Sequence, residues 1–182
     1  MLITPGFWIR HFGGLRGRSA RKVWVEIYAL LKLVLATGLL YFHLWNIPFI
    51  SILSVYLLAD VFISLGGYIF LRKFWQNPYS WNRSLILLFV NFGEYTSWFA
   101  SLYLSGGLLK SQQGGVITGA AEALYFSIVT ATTVGFGDIT PIPGRGQFVV
   151  TLEILASLFF LVTVVSYFVS NMSGTEVDKP AD

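Results

Sequence analysis

The chain has 182 residues, of which 55% are hydrophobic, 17% aromatic and only 12% charged, and its net charge is +3. Soluble domains usually carry about a quarter of their residues as charged side chains. The composition therefore excludes an ordinary cytosolic enzyme, a disordered tail and a nucleic-acid binder. The absence of cysteine excludes disulfides, thiolate metal sites and thiol nucleophiles. These features predict a compact all-α membrane protein.

Four apolar runs are each long enough to cross a membrane as a helix. They are Val23–Phe42, Pro48–Leu71, Ser84–Leu104 and Gln147–Ser170. At about 1.5 Å per residue, about 20 helical residues cross a hydrocarbon core of about 30 Å. The sequence therefore predicts four transmembrane helices per subunit, of which the first two, within residues 23–71, form a peripheral hairpin.

Basic residues predict the orientation of these helices. They lie in the N-terminal segment 1–22 and between the second and third runs: Arg10, Arg16, Arg18, Arg21, Lys22, Arg72, Lys73 and Arg83. Such residues favour the cytoplasmic side. An even number of helices then places both termini, including the tail 171–182, in the cytoplasm. Segment 1–22 also carries apolar side chains, so it either lies on the membrane surface or forms a partly ordered tail.

Lys32, Asp60 and Glu94 lie deep inside the first three apolar runs, where an unpaired charge is costly. Lys32 and Asp60 lie at similar depths on the first two helices, so we predict an ion pair between them. Glu94 on the third helix is the rival partner for Lys32. No run carries arginine at every third position, so the hairpin is not predicted to be a voltage sensor.

A short apolar helix followed by a glycine-containing segment lies between the third and fourth runs. The helix is predicted at residues 119–131, and Thr-Val-Gly-Phe-Gly-Asp follows at residues 133–138. Non-helical backbone at membrane depth must be buried in protein or line a cavity. The pattern therefore predicts a re-entrant pore helix and loop.

Carbonyl oxygens of this loop are suited to binding a bare cation. Gly135 and Gly137 adopt positive φ at little cost. Alternating left- and right-handed residues point successive carbonyls to one side, where they replace the hydration shell of an ion. The Thr133 hydroxyl adds an oxygen at the inner end. One chain supplies only one wall, so a closed cage requires several copies.

The loop resembles the selectivity filter of the tetrameric potassium channels, which typically reads Thr-Val-Gly-Tyr-Gly. The resemblance covers residues 121–170, together with the third run as the outer helix. It implies a pore domain at 83–170, made of outer helix 84–104, pore helix 119–131, filter 132–138 and inner helix 147–170.

The resemblance also implies a function. The chain is expected to form a homotetramer that conducts K+ passively through a membrane, taken as the bacterial inner membrane. K+ is the permeant ion, lipid is the surrounding partner, and no cofactor is expected. The filter residues are Thr133, Val134, Gly135, Phe136 and Gly137, and the first four would bind K+.

Several residues are expected to support this filter from behind: Thr132, Asp138, Tyr125, Phe126, Val129 and Glu153. Phe136 replaces the usual tyrosine, and we expect an apolar contact between Phe126 and Phe136. Val129 stands where the prototypical bacterial channel has a glutamate paired with the filter aspartate. Tyr125 is then the remaining donor for Asp138.

Glu153 lies two turns into the inner helix, level with the back of the filter. We predict that it braces the filter through hydroxyls of the pore helix, with Ser127, Thr130 and Thr132 as candidates. The rival interpretation is a ring of carboxylates facing the pore.

The rest of the inner helix also departs from the family. Ser157 aligns with the family's hinge glycine. Apolar residues that align with cavity-lining positions are Leu158, Leu161, Val165 and Val169. They are predicted to line the pore, and the alternative for them is ordinary packing against neighbouring helices.

Two alternative functions remain open at this stage. A cation channel of relaxed selectivity would share the fold. A non-conducting scaffold or accessory subunit would share the membrane topology. An intramembrane enzyme has no support, because the sequence shows no Ser/His/Asp set and no cluster of metal ligands.

Overall fold

The computed structural model describes residues 18–70 and 81–175. The described part is mostly helical, with five α-helices, one short 3₁₀ turn and one two-stranded sheet. The α-helices are α1 (Arg18–Tyr41), α2 (Pro48–Phe70), α3 (Trp81–Ser105), α4 (Ala120–Ala131) and α5 (Arg145–Thr175), and the strands are β1 (Leu109–Ser111) and β2 (Ile139–Pro141). Residues 1–17, 71–80 and 176–182 lie outside the described residues, as do the side chains of 18–22 and 171–175 and those of all the basic residues that predict the orientation.

A tight turn joins α1 to α2. His43 takes a left-handed conformation with φ of 58°, which ends α1, and a 3₁₀ turn at Leu44–Asn46 follows. Pro48 begins α2, where its missing N–H costs nothing because the first N–H groups of a helix have no partner within it. The two helices are therefore joined by a short link at residues 42–47.

Two of the helices are long and apolar enough to cross a membrane within the described residues, over Val23–Tyr41 and Arg145–Ser166. The described apolar window of α2, Pro48–Ile63, is shorter, as is α4. Helix α3 has 25 residues, yet its sequence is more polar. The four predicted spans are thus helices in the structure, and two of them have the apolar length of a span within the residues that the structure describes.

The polarity of α3 follows from its position at the centre of the subunit. It contacts α1, α2, α4 and α5. Tyr95, Trp98 and Ala100 are completely buried, and Phe92, Phe99 and Phe160 pack around the Tyr95 ring. A helix surrounded by protein can carry polar side chains that hydrogen-bond to its neighbours, whereas a helix facing lipid cannot.

Helix α5 is longer than the predicted residues 147–170 and extends beyond both ends. Its start is fixed by Gly146, because a Cβ at this position would lie 2.6 Å from the backbone oxygen of Leu108. The glycine allows α5 to pass directly against the segment that follows α3. This contact places the start of α5 beside the loop that leaves α4.

Candidate functional site

The chain leaves helix α4 through a tight hydrogen-bonded turn. The backbone N–H of Thr133 donates to the Thr130 carbonyl, and that of Val134 donates to the Val129 carbonyl, both at 3.0 Å. The Thr132 hydroxyl donates to the Ile128 carbonyl at 2.7 Å. These bonds hold the start of the predicted filter at the C-terminal end of α4, where the helix dipole favours a cation.

Left-handed residues alternate along the loop itself. Thr133 has φ of 60°, Gly135 of 60° and Gly137 of 78°, while Val134 and Phe136 do not have positive φ. Such alternation turns successive carbonyl groups toward the same side of the strand. Glycine takes this conformation freely, but a β-branched residue such as Thr133 pays about 1–3 kcal/mol for it. The strain is concentrated at the inner end of the loop.

Every residue from Thr132 to Asp138 is exposed in the single chain. The side chain of Val134 is 53% exposed and that of Phe136 is 67% exposed. Large apolar side chains beside an exposed strip of backbone form an exposed apolar surface. Residues 132–138 are therefore an apolar surface of the chain that also exposes its backbone.

A two-stranded sheet holds the outer end of the strip. Strands β1 and β2 pair antiparallel, with Lys110 opposite Thr140. The Gln112 backbone N–H donates to the Asp138 carbonyl at 3.1 Å, and its side-chain amide donates to the Gly137 carbonyl at 3.3 Å. Sequence reasoning missed Gln112, because nothing in its local pattern marks it as a partner of residues 25 positions away.

Two aromatic side chains of α4 face different partners. The ring of Tyr125 stacks on that of Phe136, with centroids 6.4 Å apart and planes 1° apart, and its hydroxyl interacts with the Asp138 carboxylate. Phe126 is buried and packs edge-on against Tyr103, with centroids 5.2 Å apart. In the subunit, Tyr125 thus replaces the expected Phe126 as the partner of Phe136. One residue along a helix rotates the side chain by about 100°, which separates the two faces.

The carboxyl group of Glu153 lies at the meeting point of three helices. It is completely buried on α5 and accepts hydrogen bonds from Ser127 on α4 and from Tyr103 on α3. Of the three expected hydroxyls, Ser127 makes the contact, whereas the Thr132 hydroxyl bonds within its own helix end. Tyr103 lies near the end of the third run, where its hydroxyl looks from sequence like an interfacial group.

A second polar contact joins α3 to α5 one turn further along. The Ser157 hydroxyl donates to the Glu153 backbone carbonyl at 2.8 Å and lies 3.1 Å from the Tyr95 hydroxyl. Ser157 is the residue that the resemblance to potassium channels is expected to place at the hinge glycine. Two hydroxyl contacts therefore hold α5 against α3: Tyr95 with Ser157, and Tyr103 with the Glu153 carboxyl group.

An apolar stripe on α5 remains open in the single chain. It is formed by the four predicted pore-lining residues, which are between 48% and 57% exposed: Leu158, Leu161, Val165 and Val169. The stripe lies away from the buried Glu153, Ser157 and Phe160 side of the helix. Helix α5 thus has a buried face with polar side chains toward α3 and an exposed apolar face that points away from α3.

Lys32 of α1 contacts both carboxylates that the sequence offers as alternatives. Its Nζ lies 3.0 Å from Asp60 Oδ2 on α2 and 3.1 Å from Glu94 Oε1 on α3. The Tyr28 hydroxyl also donates to Asp60 Oδ2 at 2.9 Å, and the Trp98 indole N–H donates to Glu94 Oε1 at 3.4 Å. We call Lys32, Asp60 and Glu94 the buried triad, because all three side chains are at most 7% exposed. It joins the hairpin to the central helix.

Comparison with known proteins places these features in a family. The sequence profile of the family described as "Ion channel" matches residues 29–173, which is most of the chain. An uncharacterized protein of Methanothermus fervidus is 46% identical over 44 residues, which are 24% of this chain and 7% of the relative. The chain thus matches less than a tenth of that relative's length. No solved structure matches the chain significantly. The extent of the family match shows that this protein belongs to the two-transmembrane pore-loop ion channel family, which includes potassium channels.

Proposed function

We propose that the protein is a potassium-selective channel that conducts K+ passively as a homotetramer. The observation that carries this proposal is the exposed strip at residues 133–137, where left-handed residues alternate with right-handed ones. Rings of backbone carbonyls of this kind replace the hydration shell of K+ in the channels that use them. Conduction by this route requires no reaction chemistry and no cofactor besides the permeant ion.

The exposed surfaces support an assembly of four subunits around one axis. The filter strip, the Val134 and Phe136 side chains and the stripe from Leu158 to Val169 are all open in one chain. Four copies would cover the filter side chains and direct the stripe toward a central cavity. The pore-facing groups on α5 would then be aliphatic, because Glu153 lies on the buried face.

The same proposal sets the arrangement in the membrane. Each subunit would contribute α1, α2, α3 and α5 as transmembrane helices, with α4 and the filter re-entering between α3 and α5. The basic residues of segment 1–22 and of the link after α2 would place both termini in the cytoplasm. We propose the plasma membrane of a prokaryotic cell, with lipid around α1 and α2.

The test uses the full-length protein reconstituted in liposomes loaded with K+. Wild-type protein should carry a K+ flux that collapses an imposed K+ gradient. Gly135→Ala should abolish it, because alanine resists the φ of 60° at this position. Phe136→Tyr is the matched control, since the filter uses the backbone carbonyl of residue 136. The absence of flux from correctly assembled wild-type protein would favour a scaffold or accessory subunit.

A further inference from the structure

The buried triad contains one more carboxyl group than it has bases. Lys32 is the one basic side chain that contacts Asp60 and Glu94 among the described residues. With every group ionised, the triad would carry a net negative charge. Both carboxyl groups are completely buried, and an uncompensated charge at such a site is costly.

The two carboxyl groups differ in how well their charge is stabilised. Asp60 Oδ2 accepts hydrogen bonds from both Lys32 and Tyr28, at 3.0 and 2.9 Å. Glu94 shares the same ammonium group, and its second donor, Trp98, is 3.4 Å away. The other oxygen, Glu94 Oε2, is buried without a hydrogen-bond partner in the described part of the chain. A buried oxygen without a hydrogen-bond partner costs less free energy when the carboxyl group is neutral than when it is ionised.

No further charge reaches Glu94 from the helices packed around it, as far as their side chains are described. Helix α1 contributes Lys32 and Tyr28, and α2 contributes Asp60, with Tyr56 interacting with Tyr28. Helix α5 contributes no charge to the triad, because its Glu153 contacts Ser127 and Tyr103. Among the described side chains, Lys32 therefore supplies one positive charge for the two carboxyl groups.

We propose that the buried triad is a proton-binding site and that Glu94 carries the proton while the hairpin α1–α2 is docked on α3. Protonation balances the triad, with Lys32 positive, Asp60 negative and Glu94 neutral. As pH rises, Glu94 loses its proton and leaves a net buried negative charge between three helices. Docking is thus strongest at low pH and weakens as pH rises through the range where Glu94 titrates.

The triad also has a short physical connection to the inner helix. Glu94 is followed by Tyr95, whose hydroxyl lies 3.1 Å from that of Ser157 on α5. A shift of α3 at Glu94 therefore moves a group in contact with the hinge-aligned residue. Through Tyr95 and Ser157, the protonation state of Glu94 therefore changes the position of α5 and with it the conformation of the pore. This consequence rests on the proposed function, whereas the proton site itself does not.

The first test is infrared difference spectroscopy of the full-length protein in lipid vesicles, titrated from about pH 5 to about pH 9. Wild-type protein should show a carboxylic acid C=O band that disappears as pH rises. Glu94→Gln, a neutral side chain of the same shape, should lack that component. Glu153→Gln should retain it. An identical band in wild type and Glu94→Gln would overturn the assignment to Glu94.

The second test measures K+ flux over the same pH range. The docking equilibrium should weaken by up to about tenfold for each pH unit above the titration point. Wild-type flux should follow this change, and Glu94→Gln should flatten it. Glu122→Gln, which removes an exposed carboxyl group of α4, should keep the wild-type profile. An unflattened profile in Glu94→Gln would overturn the coupling to the pore. An infrared band on Glu94 without any K+ flux would contradict the channel function and leave the proton site in place.

Discussion

The Ser127 hydroxyl on α4 donates a hydrogen bond to the buried carboxyl group of Glu153 on α5. The same carboxyl group accepts a hydrogen bond from Tyr103 on α3. Glu153 therefore joins three helices at one point. It lies on the buried face of α5, as we predict for a residue that braces the filter, and away from the open face.

Glu153→Gln should keep most of the K+ conductance, because an amide oxygen still accepts a hydrogen bond from Ser127 or Tyr103. Glu153→Val should destabilise the filter and change its gating, since it leaves both buried hydroxyls without their partner at about 1–3 kcal/mol each. Single-channel recording checks both. A conductance loss in Glu153→Gln that shrinks at high salt would show a charge facing the pore, and would contradict the brace.

Variants of the triad should couple strongly. Lys32→Met alone leaves two carboxyl groups without their cation, and Asp60→Asn alone leaves Lys32 with a weaker partner. Lys32→Met should cost about 3–5 kcal/mol, because it leaves buried charge uncompensated, and Asp60→Asn should cost less, because Glu94 still pairs with Lys32. The double variant should be milder than the sum of the two. Thermal denaturation of the purified assembly measures each cost, and simple additivity would show that the two side chains do not interact.

Tyr95→Phe should loosen the contact between α3 and α5 without disturbing the aromatic packing around Tyr95. The lost hydroxyl contact to Ser157 is expected to cost about 0.5–1.5 kcal/mol. Ser157→Ala removes the other side of the same contact, so adding it to Tyr95→Phe should cost less than it does in the wild type. Open probability and thermal stability of Tyr95→Phe, Ser157→Ala and the double variant complete a double-mutant cycle. Independent effects would exclude the contact as a link between the helices.

Gln112→Leu should weaken the outer end of the filter, because the leucine cannot donate to the Gly137 carbonyl. The backbone bond from residue 112 to Asp138 remains, so the sheet should persist. We expect K+ selectivity to be retained and conduction to be lost faster when external K+ is withdrawn. Gln113→Leu, at the adjacent exposed position, is the control. Equal behaviour of the two variants would show that the Gln112 side chain does not support the filter.

Local sequence patterns predicted the helices and the loop well. Apolar runs mark helices α1, α2, α3 and α5, and the spacing of Gly135 and Gly137 predicts the alternating backbone of residues 133–137. The observed helix ends differ from the predicted ones by a few residues, because a helix can continue into polar residues beyond its apolar part. The start of α5 depends on the close approach of Gly146 to Leu108, which no local pattern reveals.

Contacts between distant residues were only partly predictable. Depth within the membrane identified Lys32, Asp60 and Glu94 as possible partners, but depth alone does not fix the rotation of a helix. It therefore presented the two carboxylates as alternatives, whereas both contact the ammonium group. Rotation also explains why Tyr125 and not Phe126 stacks on Phe136, and why Tyr103 was missed as a partner of Glu153.

The measurement that tests the central claim most directly is the reversal potential of the reconstituted protein, with K+ on one side of the bilayer and Na+ on the other. A carbonyl filter formed by residues 133–137 should discriminate between the two ions. We therefore expect a reversal potential displaced far from zero, in the direction that marks K+ as the permeant ion. A reversal potential near zero, from currents that require the protein, would show a channel of relaxed selectivity and contradict the account.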